Sequence, residues 1–141
     1  MEYAARSVFA AVLTIIAVIH LYWAAGGSWG LSVAIPSLPG KGGRRLLKPG
    51  SGGTLGVASL LLIGAAVAMG QILPAFQATL LRLMAAVFAI RAVGEFRYLG
   101  FFKRVLETQF AYWDTRLFSP LCLMLSFLAL AGSGLFDAVG R

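Results

Sequence analysis

The chain has 141 residues, of which 60% are hydrophobic and only 12% are charged. A soluble domain is about 45–50% apolar and about 25% charged, so this composition excludes a disordered tail and argues against a soluble globule. The single Cys and single His exclude a disulfide framework, a bis-histidine haem and a His/Cys metal cluster within one chain, and no cofactor or metal is predicted.

Four apolar segments have about the length of a membrane-spanning helix, which needs about 20 mostly apolar residues. The first two carry almost no charge, whereas the third carries Arg91, Glu95 and Arg97 in its second half. The start of the fourth is marked by Ser119, which can cap a helix, and by Pro120, which suits the first helical position. The sequence therefore predicts an all-α integral membrane bundle, a single domain over residues 1–141, with four transmembrane helices at about 4–25, 54–73, 77–99 and 120–136.

The three connections between these helices differ in composition. Residues 26–53 are rich in Gly, Ser and Pro, which break helices and strands, so an irregular loop is predicted. Pro74 marks a tight turn between the second and third helices. In residues 100–119, apolar and aromatic side chains recur at helical spacing among basic ones, which predicts a short interfacial amphipathic helix near 101–113.

The distribution of Lys and Arg predicts the orientation of the bundle, provided that the first segment is an uncleaved helix and not a signal peptide. Its weak basic flank and its length favour the helix. The first and third loops carry seven basic residues and the opposite side carries three. The positive-inside rule therefore places loops 26–53 and 100–119 in the cytoplasm and both termini outside the plasma membrane. Arg97, Lys103 and Arg104 are interpreted as topology determinants of this kind.

The third helix carries charges that are costly near the bilayer centre, about 2.5–3.5 kcal/mol each on insertion scales. On a continuous helix, Arg91, Glu95 and Tyr98 share one face, and Arg91 can pair with Glu95 at i,i+4. With a rise of about 1.5 Å per residue, Arg91 lies about 12 Å below Leu99, which is too deep for a surface charge. These side chains are expected to face the bundle interior, either as a functional site or as an ion pair that fixes helix packing.

His20 and Trp23 share a face about one turn from the cytoplasmic end of the first helix, and Asp114 precedes the fourth helix on the same side. Structural interpretations stay open for each: His20 bonded to a carbonyl, Trp23 in an interfacial aromatic belt, and Asp114 capping a turn. The topology brings six candidate residues toward one half of the membrane. The acid/base candidates are His20 and Glu95, and the ligand-binding candidates are Trp23, Arg91, Tyr98 and Asp114.

Three stretches of the chain together resemble a known family. They are residues 20–27, which begin His20-Leu-Tyr22-Trp23, residues 91–101, which begin at Arg91, and residues 110–122; Pro36 in the first loop also matches. On these motifs the chain resembles, over nearly its whole length, the bacterial family named domain of unknown function 3995. The resemblance implies a small four-helix integral membrane protein, and it implies no particular activity, substrate or cofactor.

Three functions are compatible with these residues. The first is an intramembrane polar site, open to the cytoplasmic leaflet, that binds or acts on a lipophilic small molecule, with His20 or Glu95 moving a proton. The second is a small transporter, which has to form a homo-oligomer because four helices are too few for a wide path. The third is a non-catalytic accessory subunit of a larger membrane complex. The expected partners are the lipid bilayer and a lipophilic molecule. Nucleic acid is not expected, because loop cations beside a bilayer are explained by orientation and anionic headgroups.

Overall fold

The computed structural model describes residues 1–35, 50–94, 100–104 and 108–135. The described part is helical and contains no strand. Its elements, in chain order, are α1 (Glu2–Ala24), α2 (Leu31–Ala34), α3 (Ser51–Ala68), a short 3₁₀ helix (Pro74–Phe76), α4 (Gln77–Val93), α5 (Gln109–Trp113), a π-helical segment (Asp114–Phe118) and α6 (Ser119–Gly132).

Four helices in the described part are long and apolar enough to cross a membrane. Their outer faces carry large exposed apolar side chains; on α4, for example, Leu83, Val87 and Ile90 are each more than half exposed at i, i+4, i+7 spacing. Such surfaces fit contact with lipid and do not fit contact with water. The predicted all-α architecture is confirmed, with candidate spans at Glu2–Ala24, Ser51–Ala68, Pro74–Val93 and Gln109–Gly132.

The core lies where α1 packs on α3 and α6, and where α4 packs on α6. Phe9, Leu13, Leu81 and Leu125 are its largest fully buried apolar side chains. Many other core positions are alanines, which allow helix backbones to approach closely. In lipid, where apolar burial alone gives little drive for association, this close packing supplies the attraction between helices.

Different elements meet at the two ends of the bundle. At one end, Nε of Arg6 donates to the carbonyl of Gly132 at 2.7 Å, and its Nη2 pairs with Glu2 at 2.8 Å. At the other end, which we call the connection end, α2 packs against α5. The start of α1 and the end of α6 therefore lie together at one end of the bundle, and α2 and α5 lie together at the connection end.

Two predicted helix ends are wrong. The second helix stops at Ala68, because Gly70 and then Leu73 take positive φ angles of 70° and 49°. The third helix stops at Val93, because Gly94 has φ 82° and ψ −175°, a conformation that only glycine adopts readily. Arg91 therefore lies in the last turn of α4, and its predicted depth below Leu99 does not apply.

The predicted interfacial helix near 101–113 is wrong at residues 101–104, and its last residues, 109–113, belong to the fourth span. Residues 100–104 form a turn, and the helix begins at Gln109, where Oγ1 of Thr108 accepts a hydrogen bond from the N–H of Ala111 at 3.1 Å. This helix continues to Gly132, so Ser119 is not its cap. Pro120 lies inside it and has no N–H to donate. The π-helical segment, which ends at Phe118 two residues before Pro120, is a loosened turn of the kind that accommodates a helix-interior proline.

Gln77 is expected to stabilise the junction between the second and third spans. Its side-chain amide donates to the carbonyls of Val67 and Ala68, at 3.1 and 2.8 Å, at the C-terminal end of α3. We expect Gln77→Met to lower the free energy of unfolding by about 1 kcal/mol, because both bonds are lost. Thermal unfolding in detergent measures the change. Gln71→Met is the matched control, since Gln71 is exposed on the same connection; an equal loss in both variants contradicts the assignment.

Candidate functional site

Asp114 is the centre of a buried polar cluster at the connection end. Its side chain is fully buried, and its carboxylate accepts three hydrogen bonds. Nη2 of Arg91 donates to Oδ1 at 2.9 Å, while Nζ of Lys103 and the backbone N–H of Gly100 donate to Oδ2 at 3.1 and 2.8 Å. Two cations and one amide offset the cost of burying this carboxylate.

Lys103 is the second fully enclosed charge of this cluster. Its Nζ also donates to the carbonyl of Gly100 at 3.0 Å and to Oγ1 of Thr115, so all three ammonium hydrogens are used. The interpretation of Lys103 as a topology determinant is replaced by a buried structural ion pair. We call Asp114, Arg91, Lys103, Gly100 and Thr115 the Asp114 cluster.

The Asp114 cluster joins three separate pieces of chain. Arg91 belongs to the last turn of α4, Gly100 and Lys103 to the turn that follows, and Asp114 to the last helix. The N–H of Phe101 adds a 2.9 Å bond to the carbonyl of Ala92. The sequence identified Arg91 and Asp114 as candidates but missed Gly100, Lys103 and Thr115. No spacing rule identified them, because the contacts are made across a turn.

The predicted pairing of Arg91 with Glu95 depends on a helix that continues to Glu95, and α4 ends at Val93. The structure places Arg91 on Asp114 instead. Nη1 of Arg91 is buried without a hydrogen-bond partner among the described residues. Glu95 and Tyr98 lie outside those residues, so their proposed roles in proton transfer and ligand binding stay predictions.

His20 and Trp23 contact each other near the end of α1, as their spacing predicts. Their ring centroids are 5.1 Å apart in an edge-to-face arrangement. Nδ1 of His20 lies 2.8 Å from the carbonyl oxygen of Ile16, one turn earlier in the same helix. Both rings line a cavity of about 240 Å³ together with Thr54 at the start of α3. We call this space the His20 cavity.

The three tryptophans of the chain line one neighbouring cavity. Trp23 comes from α1, Trp29 from the turn after it and Trp113 from the end of α5, and the volume of this partly open cavity is about 300 Å³. Nε1 of Trp23 donates to the carbonyl of Trp29 at 2.8 Å, which holds two of the rings in place. Apolar side chains complete the lining of this tryptophan cavity, among them Ile19, Val33 and Leu117. The sequence selected Trp23 but not Trp29 or Trp113, because their convergence arises from the packing of α2 on α5.

No group of three or more His, Cys, Asp or Glu side chains that could hold a metal ion occurs in the described ranges. Cys122 is partly buried in α6 and has a free thiol.

Fold and site together define a small helical protein with four helices of membrane-spanning length, a buried Asp–Lys–Arg cluster and an aromatic cavity at one end. The family model described as "Protein of unknown function (DUF3995)" matches residues 13–129. The chain belongs to this family, which confirms the resemblance seen in its motifs. Neither the curated proteins nor the solved structures contain a significant match to it. The matched range includes every described residue of the Asp114 cluster and of the tryptophan cavity.

Proposed function

We propose that the protein binds a lipophilic small molecule in the tryptophan cavity. The observation that carries the proposal is the convergence of all three tryptophans, from separate elements, on one apolar space of about 300 Å³. Small-molecule sites are concave, mostly apolar and rich in aromatic side chains, and this volume lies at the lower end of their usual range. An interfacial belt explains the depth of the tryptophans, but it does not require them to share one cavity.

The Asp114 cluster supports this binding function by positioning a wall of the cavity. Trp113 directly precedes Asp114, and Leu117 follows in the same π-helical segment. The carboxylate ties this part of the helix to α4 through Arg91 and to the 100–104 turn through Lys103. We therefore assign Asp114 and Lys103 positioning roles.

The orientation predicted from the sequence is part of the proposal. With the loops 26–53 and 100–119 in the cytoplasm of a plasma-membrane protein, the connection end faces the cytoplasmic leaflet. The support is the excess of Lys and Arg in those two loops, which remains when the buried Lys103 is left out. A ligand then enters the cavity from that leaflet, where the exposed edges of Trp29 and Trp113 are accessible.

Filling the cavity is expected to remove the ligand. Ala34 lines both the tryptophan cavity and the His20 cavity, so the aromatic ring of Ala34→Phe occupies the space between them. We expect mass spectrometry of small molecules copurified in mild detergent to find a lipophilic species with the wild type and not with Ala34→Phe.

The matched control for this experiment is Ala4→Phe. Ala4 is exposed in a different apolar groove, between α1 and α6, so this variant adds the same ring away from the proposed site. Retention of the species by Ala4→Phe supports the proposal. The same set of molecules with both variants, or no specific species with the wild type, contradicts it.

A further inference from the structure

The His20 cavity adjoins the tryptophan cavity, and the two share Trp23 and Ala34. A molecule in the tryptophan cavity therefore has a second compartment within reach, with a different lining. The His20 cavity, lined in part by His20, Gly50, Gly53 and Thr54, has a partly polar surface, whereas the lining of the tryptophan cavity is almost entirely apolar. This arrangement suits a ligand with an apolar body and one polar end.

The contact of His20 with Ile16 determines which ring nitrogen is available. A carbonyl oxygen can only accept, so Nδ1, 2.8 Å from it, carries a proton. In the neutral imidazole, Nε2 then has a lone pair and acts as a hydrogen-bond acceptor. Within the part of the chain that the structure describes, Nε2 has no partner.

The other side-chain donors around this cavity are already used. Nε1–H of Trp23 donates to the carbonyl of Trp29, and Oγ1–H of Thr54 donates to the carbonyl of Gly50 at 3.0 Å. The lining side chains therefore offer acceptors, namely Nε2 of His20 and the oxygen of Thr54. None of the described lining residues is charged, so this part of the lining favours an uncharged polar group over an ammonium or a carboxylate.

A hydroxyl group fits this arrangement because it can donate to Nε2 and also accept. The N–H of Gly53 can donate to the hydroxyl oxygen, because it lies in the first turn of α3 and has no partner within the helix. We infer that the ligand is a lipophilic alcohol, with its hydroxyl on His20 and its apolar body among the tryptophans. This inference rests on the proposed binding function and adds the chemical class of the ligand.

Tryptophan quenching in phosphatidylcholine nanodiscs tests the inference, since every tryptophan of the chain lines the cavity. The probes are a dibrominated octadecanol and its methyl ether, which have the same brominated chain and differ in the hydroxyl hydrogen. We expect the alcohol to reach half-maximal quenching at a roughly two- to tenfold lower mole fraction than the ether, because one additional hydrogen bond increases the affinity by about this factor. We expect this preference to be absent in His20→Phe and present in His20→Gln, whose amide oxygen accepts.

The outcomes separate this inference from the proposed function. Equal quenching by alcohol and ether in the wild type, or a preference that persists in His20→Phe, overturns the assignment of an alcohol. If Ala34→Phe then still weakens quenching by both probes, the cavity binds lipophilic molecules without selecting for a hydroxyl group, and only the proposed function stands. If Ala34→Phe changes quenching by neither probe, both the inference and the proposed function are overturned. His20→Gln keeps the test valid if His20→Phe fails to fold.

Discussion

Replacing Asp114 by alanine is expected to lower the free energy of unfolding by about 3–5 kcal/mol. The reason is that the variant leaves the buried ammonium of Lys103 without its carboxylate and also removes the partner of Arg91. An uncompensated buried charge costs more than the ion pair contributes. Thermal or denaturant unfolding in detergent, followed by circular dichroism, measures the loss.

Two further variants show whether burial causes this effect. Glu2→Gln removes the partly exposed ion pair with Arg6 and is expected to cost less than about 1 kcal/mol. In the double variant Asp114→Leu with Lys103→Met, most of the stability is expected to return, because no buried ammonium remains and Arg91 is 31% exposed to its surroundings. A double variant as unstable as Asp114→Ala contradicts the electrostatic explanation.

Gly100→Ala is expected to lower the free energy of unfolding by about 2–4 kcal/mol. Gly100 has φ 84°, and a Cβ atom built on it overlaps the carbonyl oxygen of Val93. That oxygen belongs to the backbone at the end of α4 and cannot move aside as a flexible side chain can. Because the N–H of Gly100 donates to Asp114, the displacement also disturbs the Asp114 cluster.

Gly56→Ala is the matched control for Gly100→Ala, and the opposite sign is expected. Gly56 lies on the exposed face of α3, and a Cβ atom added there meets no atom within 4 Å. Alanine is the better helix former in such a position, so the variant should gain about 0.5–1 kcal/mol. Comparing the unfolding midpoints of the two variants tests the local geometry, and a similar change in both contradicts it.

The spans could be predicted from the sequence because apolar length is a property of composition, whereas helix ends depend on single backbone angles. Residues 77–99 are apolar enough to suggest an unbroken helix, yet Gly94 at φ 82° ends α4 at Val93. A glycine within an apolar run does not change the hydropathy pattern. The same limitation applied to Ser119, which can cap a helix in general but lies inside one here.

Part of the candidate site could be predicted from local spacing along the chain. His20 and Trp23 are three residues apart on one helix, so local spacing predicts their contact. Lys103 could not be found, because its partner lies eleven positions along the chain and the intervening backbone turns. A lysine among aromatic residues near a predicted span has the sequence signature of an interfacial cation. Trp29 and Trp113 were missed for a related reason, since they meet only through packing between distant elements.

The packing of α1 on α3 and of α4 on α6 has a consequence for how the protein is made. The first helix pair precedes the second along the chain, so in a membrane it can associate while the second pair is still being synthesised. The bond from Arg6 to Gly132 spans 126 positions and can form only when the last helix has been inserted. We therefore expect the two helix pairs to form one after the other, and the contact between the first and last helices to join them last.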